Sequence, residues 1–142
     1  MTNYDPDNIF AKIMRGDLPS ETVYEDDSTV VIMDIMPRVD GHALVLPKAA
    51  SRNILDIAPE DLAACLATVQ KVARASKRAF AADGMTIQHF VEGAGGQMVF
   101  HTHWHVLPRH EGQALQPHST EIAPAETIKA NADKLRAALS EG

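Results

Sequence analysis

Three histidines stand at alternate positions in "FHTHWHVLPR": His101, His103 and His105. The residues among and after them, Thr102, Trp104, Val106 and Leu107, favour strands. Side chains alternate across a strand, so the spacing predicts one face with His101, His103 and His105. Phe100, Thr102, Trp104 and Val106 would share the other, which is the natural core face. The imidazoles would then look into a cleft. A neutral imidazole is available near pH 7 to attack an electrophile. A central ring at His103 would have neighbours about 7 Å away on each side. Those neighbours could hydrogen-bond the oxygens of a phosphorus centre, whose spread charge needs several donors. Two other readings stay open. The three could be ordinary half-buried strand histidines, although clustered titratable groups mark sites. A zinc ion would need ligand nitrogens roughly 3–4 Å apart, whereas His101 and His105 are about 13 Å apart at Cα. Two neighbours could share an ion with a ligand from elsewhere, but no second cysteine or nearby acidic pair offers one. No metal is expected.

Just upstream, "EGAGGQM" carries Gly93, Gly95 and Gly96, then Gln97. Glycines let backbone N–H groups approach an anion closely. A strand follows rather than a helix, and there is no GK[ST], so this is not a usual nucleotide fingerprint. Taken alone it is a plain strand connection. Ending beside the histidines, it brings Gln97 within reach of a phosphoryl oxygen or a leaving group.

The elements that must position these groups follow from periodicity. "PDNIFAKIMRG" predicts a short helix with Ile9, Phe10, Ile13 and Met14 at helical spacing, stopped by Gly16. "ETVYEDDSTVVIMDI" predicts two strands around a turn at Asp26, Asp27 and Ser28. "HALVLP" is a third strand, ended by Pro47. "APEDLAACLATVQKVARASKRAFAADG" is the longest helix, with Pro59 at its first position and Gly84 after its end. Its expected stripe is Leu62, Cys65, Leu66, Val69, Val72, Ala73 and Phe80. "MTIQHFV" and "MVFHTHWHVLP" are two more strands. A polar loop and a helix from roughly Pro124 to Leu139 complete the chain. Short links between neighbouring strands predict an α+β fold, a five-stranded, mainly antiparallel sheet with helices packed on one face. A doubly wound parallel sheet would need a helix after nearly every strand.

The 142 residues suit a single domain, with a core over 8–109 and a C-terminal loop and helix over 110–142. A net charge of −6 argues against a nucleic acid polymer as partner, although a local pocket can still take one or two phosphates. There is no run of membrane-span length and no secretory signal, so no membrane partner is expected. Cys65 is the single cysteine, which fits a reducing cytoplasm.

"GGQMVFHTHWHVLPR" resembles the signature of the histidine triad (HIT) family of nucleotide-binding hydrolases and transferases. The resemblance covers roughly Asn8 to Arg109, including "DNIFAKIMRGDLPSETVYEDDSTVVIMDIMPRVDGHALVLPK" and "IAPEDLAACLATVQKVARASKRAF". It implies a HIT-like fold, usually a homodimer, without a cofactor. It also implies a purine nucleoside monophosphate or its conjugate as ligand, with cleavage at the α-phosphorus through a nucleotidyl-histidine. His103 matches the nucleophile, His101 and His105 flank it, and His42 in "DGHALVLP" matches an upstream histidine. Asp34 matches a residue that binds the ribose hydroxyls, and a carboxylate can accept both bonds of a cis-diol. Ile9, Phe10, Ile13, Leu18, Ile32 and Ile35 match an apolar base pocket, although core packing alone would account for them. Gln97 matches the glutamine before the triad. Met98 and Val99 complete the expected substrate-binding stretch. Met98 stands where many members carry a serine or threonine that serves the leaving group. Phe90 or Val91 stands where an asparagine is common. Asn8 and Ala11 occupy the positions of two zinc-binding cysteines, so no structural zinc is expected there.

Overall fold

The computed structural model describes residues 3–118 and 121–141. The elements run α1 (Ile9–Met14), β1 (Thr22–Glu25), β2 (Thr29–Met33), β3 (Ala43–Pro47), α2 (Pro59–Ala79), β4 (Gly84–Gln88), β5 (Trp104–Arg109) and α3 (Ala125–Ser140). This is the order that the periodicity predicts. The strands form one sheet in the order β1-β2-β3-β5-β4, and every neighbouring pair is antiparallel. The Asp26 carboxylate closes the first hairpin by accepting from the Ser28 and Thr29 amides. Asn8 caps α1, its side-chain oxygen accepting from the Ala11 amide.

Register decides which residues face which side. Val45 lies opposite Val31 and Trp104, and Leu44 opposite Ile32 and His105. Val31, Val45, Trp104 and Val106 therefore pack beneath α2 and α3. Each such side chain contributes about 1.5–3 kcal/mol through burial. The other face carries Val30, Ile32, Leu44 and Leu46, which pack with Phe10 of α1. The two long helices thus share one face, and the six-residue α1 lies against the opposite one, where the histidines are.

Several details depart from the sequence reading. The last strand starts at Trp104, so His105 alone of the triad is on β5. Upstream the backbone leaves the ladder, and the Thr102 amide donates to the Ser51 carbonyl instead. Phe100 is not a core residue. It is half-buried, with the Arg52 guanidinium 4.2 Å above its ring. Leu66 faces outward, while Thr68 and Ser76 are buried on α2. Gly84 follows the end of α2 as expected, but it also opens β4, and Ala81 takes the positive φ, +48°, that turns the chain.

Gly41 holds the approach to β3. Its φ is +88°, and an added Cβ would lie 2.7 Å from the Phe80 ring at the end of α2. Strain and overlap act together there. Gly41→Ala should lower the unfolding free energy by about 2 kcal/mol or more in urea titrations; a change within a few tenths of that of the parent would contradict the packing described.

Candidate active site

His103 sits just before β5, its ring edge-on to Phe10 at a centroid distance of 4.8 Å. Its Nδ1 is 2.6 Å from the His101 carbonyl oxygen. A carbonyl only accepts, so Nδ1 carries the proton. Nε2 is left with the lone pair. His101 is fully buried and makes two bonds of its own, donating from Nε2 to the Pro47 carbonyl and accepting at Nδ1 from the Tyr4 hydroxyl. Its ring therefore stands behind the cleft, and its carbonyl faces His103.

A second chain of bonds sets His105. The Arg38 amide donates to His42 Nδ1 at 3.1 Å, so the proton of neutral His42 is on Nε2. That nitrogen is 2.9 Å from His105 Nδ1 and 3.5 Å from the nearer Asp34 oxygen. His105 Nδ1 accepts, which leaves its own proton on Nε2, available to the cleft. Asp34 accepts from the Met36 amide. Asp34, His42 and His105 have donor atoms spaced closely enough for a metal ion. The two imidazoles, however, turn their facing nitrogens on each other at hydrogen-bond distance, closer than the roughly 3.3 Å between ligands of a tetrahedral zinc site.

Burial sets the protonation of the cluster. It pushes His103 down to about 4, His42 to about 3 and His105 to about 2, with further lowering from the neighbouring imidazoles and, for His42 and His105, from Arg38. All three are neutral at pH 7. Burial pushes the Asp34 carboxyl up to about 6, against the opposing pull of the Met36 amide.

His103, His105 and Asp34 line a cleft of about 370 Å³. The expected apolar residues Ile9, Phe10, Ile13, Ile32 and Ile35 are on its wall, as are Met98 and Val99. Leu18 is not; it is 38% exposed outside the lining. Gln97 is not either. Its Nε2 donates to the Arg52 and Val99 carbonyls, and its Oε1 accepts from Asn53 and the Glu92 amide. Every polar position of that amide is committed, so it staples the glycine loop rather than reaching a ligand. Arg52 completes the staple with two bonds to Glu92. The sequence reading missed Arg52, Asn53 and Tyr4, which act through long-range contacts without a motif. It also missed Leu44 and His118 on the cleft wall.

The HIT domain matches residues 15–112 of this chain. The chain belongs to the HIT family. A HIT-like protein of Bartonella henselae, described as involved in cell-cycle regulation, superposes with a TM-score of 0.90 at 49% identity, covering 96% of this chain and 99% of that one. A zinc-bound histidine triad protein of Mycobacterium smegmatis gives a TM-score of 0.85 at 37% identity, covering 95% and 94%. The adenylylsulfatase HINT3 of Arabidopsis thaliana is 33% identical over 122 residues, 82% of this chain and 62% of that protein. The five-stranded antiparallel sheet is the HIT fold of these structural neighbours.

The raised Asp34 carboxyl has a consequence for stability. A folded-state value above the ordinary one means that ionised Asp34 opposes folding, at pH above about 6. Asp34→Asn should therefore raise the unfolding free energy at about pH 8 by about 1–3 kcal/mol, a gain that fades as pH falls from about 6 to 3.8. The histidines act oppositely. Their lowered values favour the folded state above 6.5, and that contribution is lost as pH falls from 6.5 towards about 2–4. Denaturant titrations of both proteins across that range check both signs.

Proposed function

We propose that this HIT protein is a purine nucleotide hydrolase or nucleotidyl transferase that cleaves at the α-phosphorus through a covalent nucleotidyl-histidine. The observation that carries the reading is the His103 tautomer: Nδ1–H held by the His101 carbonyl, with an unprotonated Nε2 on a cleft-lining ring. That nitrogen is a nucleophile needing no prior deprotonation. Attack forms the Nε2–P bond and breaks the bond to the leaving group. His105 Nε2–H and the Gly96 end of the glycine loop flank the centre, where fixed donors stabilise developing oxyanion charge. Water then attacks phosphorus, and the P–N electron pair returns to His103. The apolar wall of Ile9, Ile13, Ile32 and Ile35 suits a flat base, and ionised Asp34 can accept both ribose hydroxyls. Substrates would be phosphoramidates, acyl-phosphates or dinucleoside polyphosphates. The adenylylsulfatase relative, whose name denotes cleavage of an adenylyl conjugate, fits that class.

A homodimer is part of the same proposal. β4 is an edge strand of the sheet with Ile87 43% exposed on it, and such edges pair readily. The acidic charge gives no support to a nucleic acid polymer. Among the described residues no helix is long and apolar enough to cross a membrane. We place the protein in the cytoplasm as part of the proposal. A binding module with weak catalysis is the competing reading, favoured by Met98, which offers no donor at the cleft mouth.

His103→Ala should lower kcat on an adenosine phosphoramidate by about 10³-fold or more. Alkaline quench and peptide mass analysis of the parent should find the adenylyl group on His103. Tight AMP binding with no product would support the module instead. A chelator should leave turnover unchanged, because the reacting nitrogen needs no ion. KM should rise as pH falls below about 6, when Asp34 takes up its proton, and adduct formation should fail as His103 protonates near 4.

A further inference from the structure

The segment after β5 returns to the cleft. Arg38 fastens it there, Nε donating to the Gln116 carbonyl at 2.8 Å and Nη1 to Gln88 Oε1 of β4 at 3.1 Å. The Arg38 amide also holds His42, so one residue ties this strap to the imidazole chain. The strap delivers His118 onto the cleft wall. The His118 ring lies edge-on to Phe90 at 5.9 Å, and Phe90 lies edge-on to His105 at 5.2 Å. His118 is exposed to solvent, unlike the buried His103 and His105.

Cleavage of a P–N or P–O bond leaves an electron pair on the departing atom, and a basic leaving group needs a proton there. His103 is the attacking base, and its Nδ1 proton is held by a carbonyl. His42 and His105 are kept neutral by burial, and the N–H of a neutral imidazole, including the one His105 turns to the cleft, is a far weaker acid than an imidazolium. Met98, 71% exposed at the mouth, has no proton to give. Asp34 accepts from the Met36 amide and, on the reading above, holds the ribose hydroxyls as an ionised carboxylate with no proton to give. Ser20, on the same wall as Ile13 and Pro19, offers a hydroxyl, a weak acid by comparison with an imidazolium. His118 is the remaining imidazole of the cleft among the described residues, and it is open to solvent.

Resting on the nucleotidyl-histidine reading, we propose that His118 is the general acid for the leaving group and thereby fits this site to basic leaving groups such as amines. As His103 Nε2 bonds to phosphorus, the P–N electron pair goes to the departing nitrogen, which takes the proton of His118. Neutral His118 then accepts a proton from the incoming water as the O–P bond forms and the P–His103 pair returns to Nε2. Protons and charge balance over the two steps, and His118 is restored.

The test compares two adenosine 5′-phosphate substrates, one with an alkylamine leaving group and one with p-nitrophenolate, which needs no proton. His118→Ala should slow the amine substrate by about 10²-fold and change the p-nitrophenyl ester by less than about threefold. His118→Gln, which keeps a donor but has no transferable proton, should be as slow as His118→Ala on the amine. Equal losses on both substrates, no loss on either, or full rescue by glutamine would overturn the role of His118 while leaving a His103 adduct in the parent. An inactive parent with no adduct on either substrate would overturn both proposals.

Discussion

A single hydrogen bond, from His103 Nδ1–H to the carbonyl of His101, decides what the cleft can do. It exists because the chain is not yet a strand at that point. Had β5 begun at Phe100, the His101 carbonyl would have been available to a neighbouring strand. The ladder instead starts at Trp104, and the carbonyl is free to take a side-chain proton. The buried His101 ring is bonded at both nitrogens, so the acceptor is rigid. Of three similar side chains, one buttresses, one presents a lone pair, and one presents an N–H.

The direction of every proton in the second chain follows from backbone groups. The Arg38 amide can only donate, which sends the His42 proton toward His105, which in turn sends its own into the cleft. Burial supports this polarity, because it disfavours the doubly protonated imidazoles that would reverse it. The same burial holds back ionisation of Asp34, so its carboxylate opposes folding above about pH 6. Phe10 joins the two halves of the fold: it belongs to the small core under α1 and also packs edge-on to His103.

Much of this was legible in the sequence. The hydrophobic periodicities predicted the three α-helices and five strands in order, though not the 3-10 turn at Gly93–Gly95, and Pro59 and the turn at Asp26 marked boundaries where they were expected. The triad, Asp34, His42 and most of the apolar wall came from local pattern and family resemblance, and all but His101 and His42 among them line the cleft. What failed depends on contacts far apart in the chain. Alternation suggested that three histidines share a strand face, but strand pairing with β3 extends only to Trp104. Gln97 looked like a ligand contact because it precedes the triad, yet Asn53, Arg52, Glu92 and Val99 engage its whole amide. His118 carried no signal, since its place is set by Arg38, distant in sequence.

The tautomer of His103 is the central claim, and nitrogen-15 NMR of histidine-labelled protein measures it directly. The account predicts a proton on Nδ1 and a bare Nε2 at neutral pH, with no titration of this ring until pH falls near 4. A proton on Nε2, or a ring that titrates at the ordinary 6.5, would contradict it.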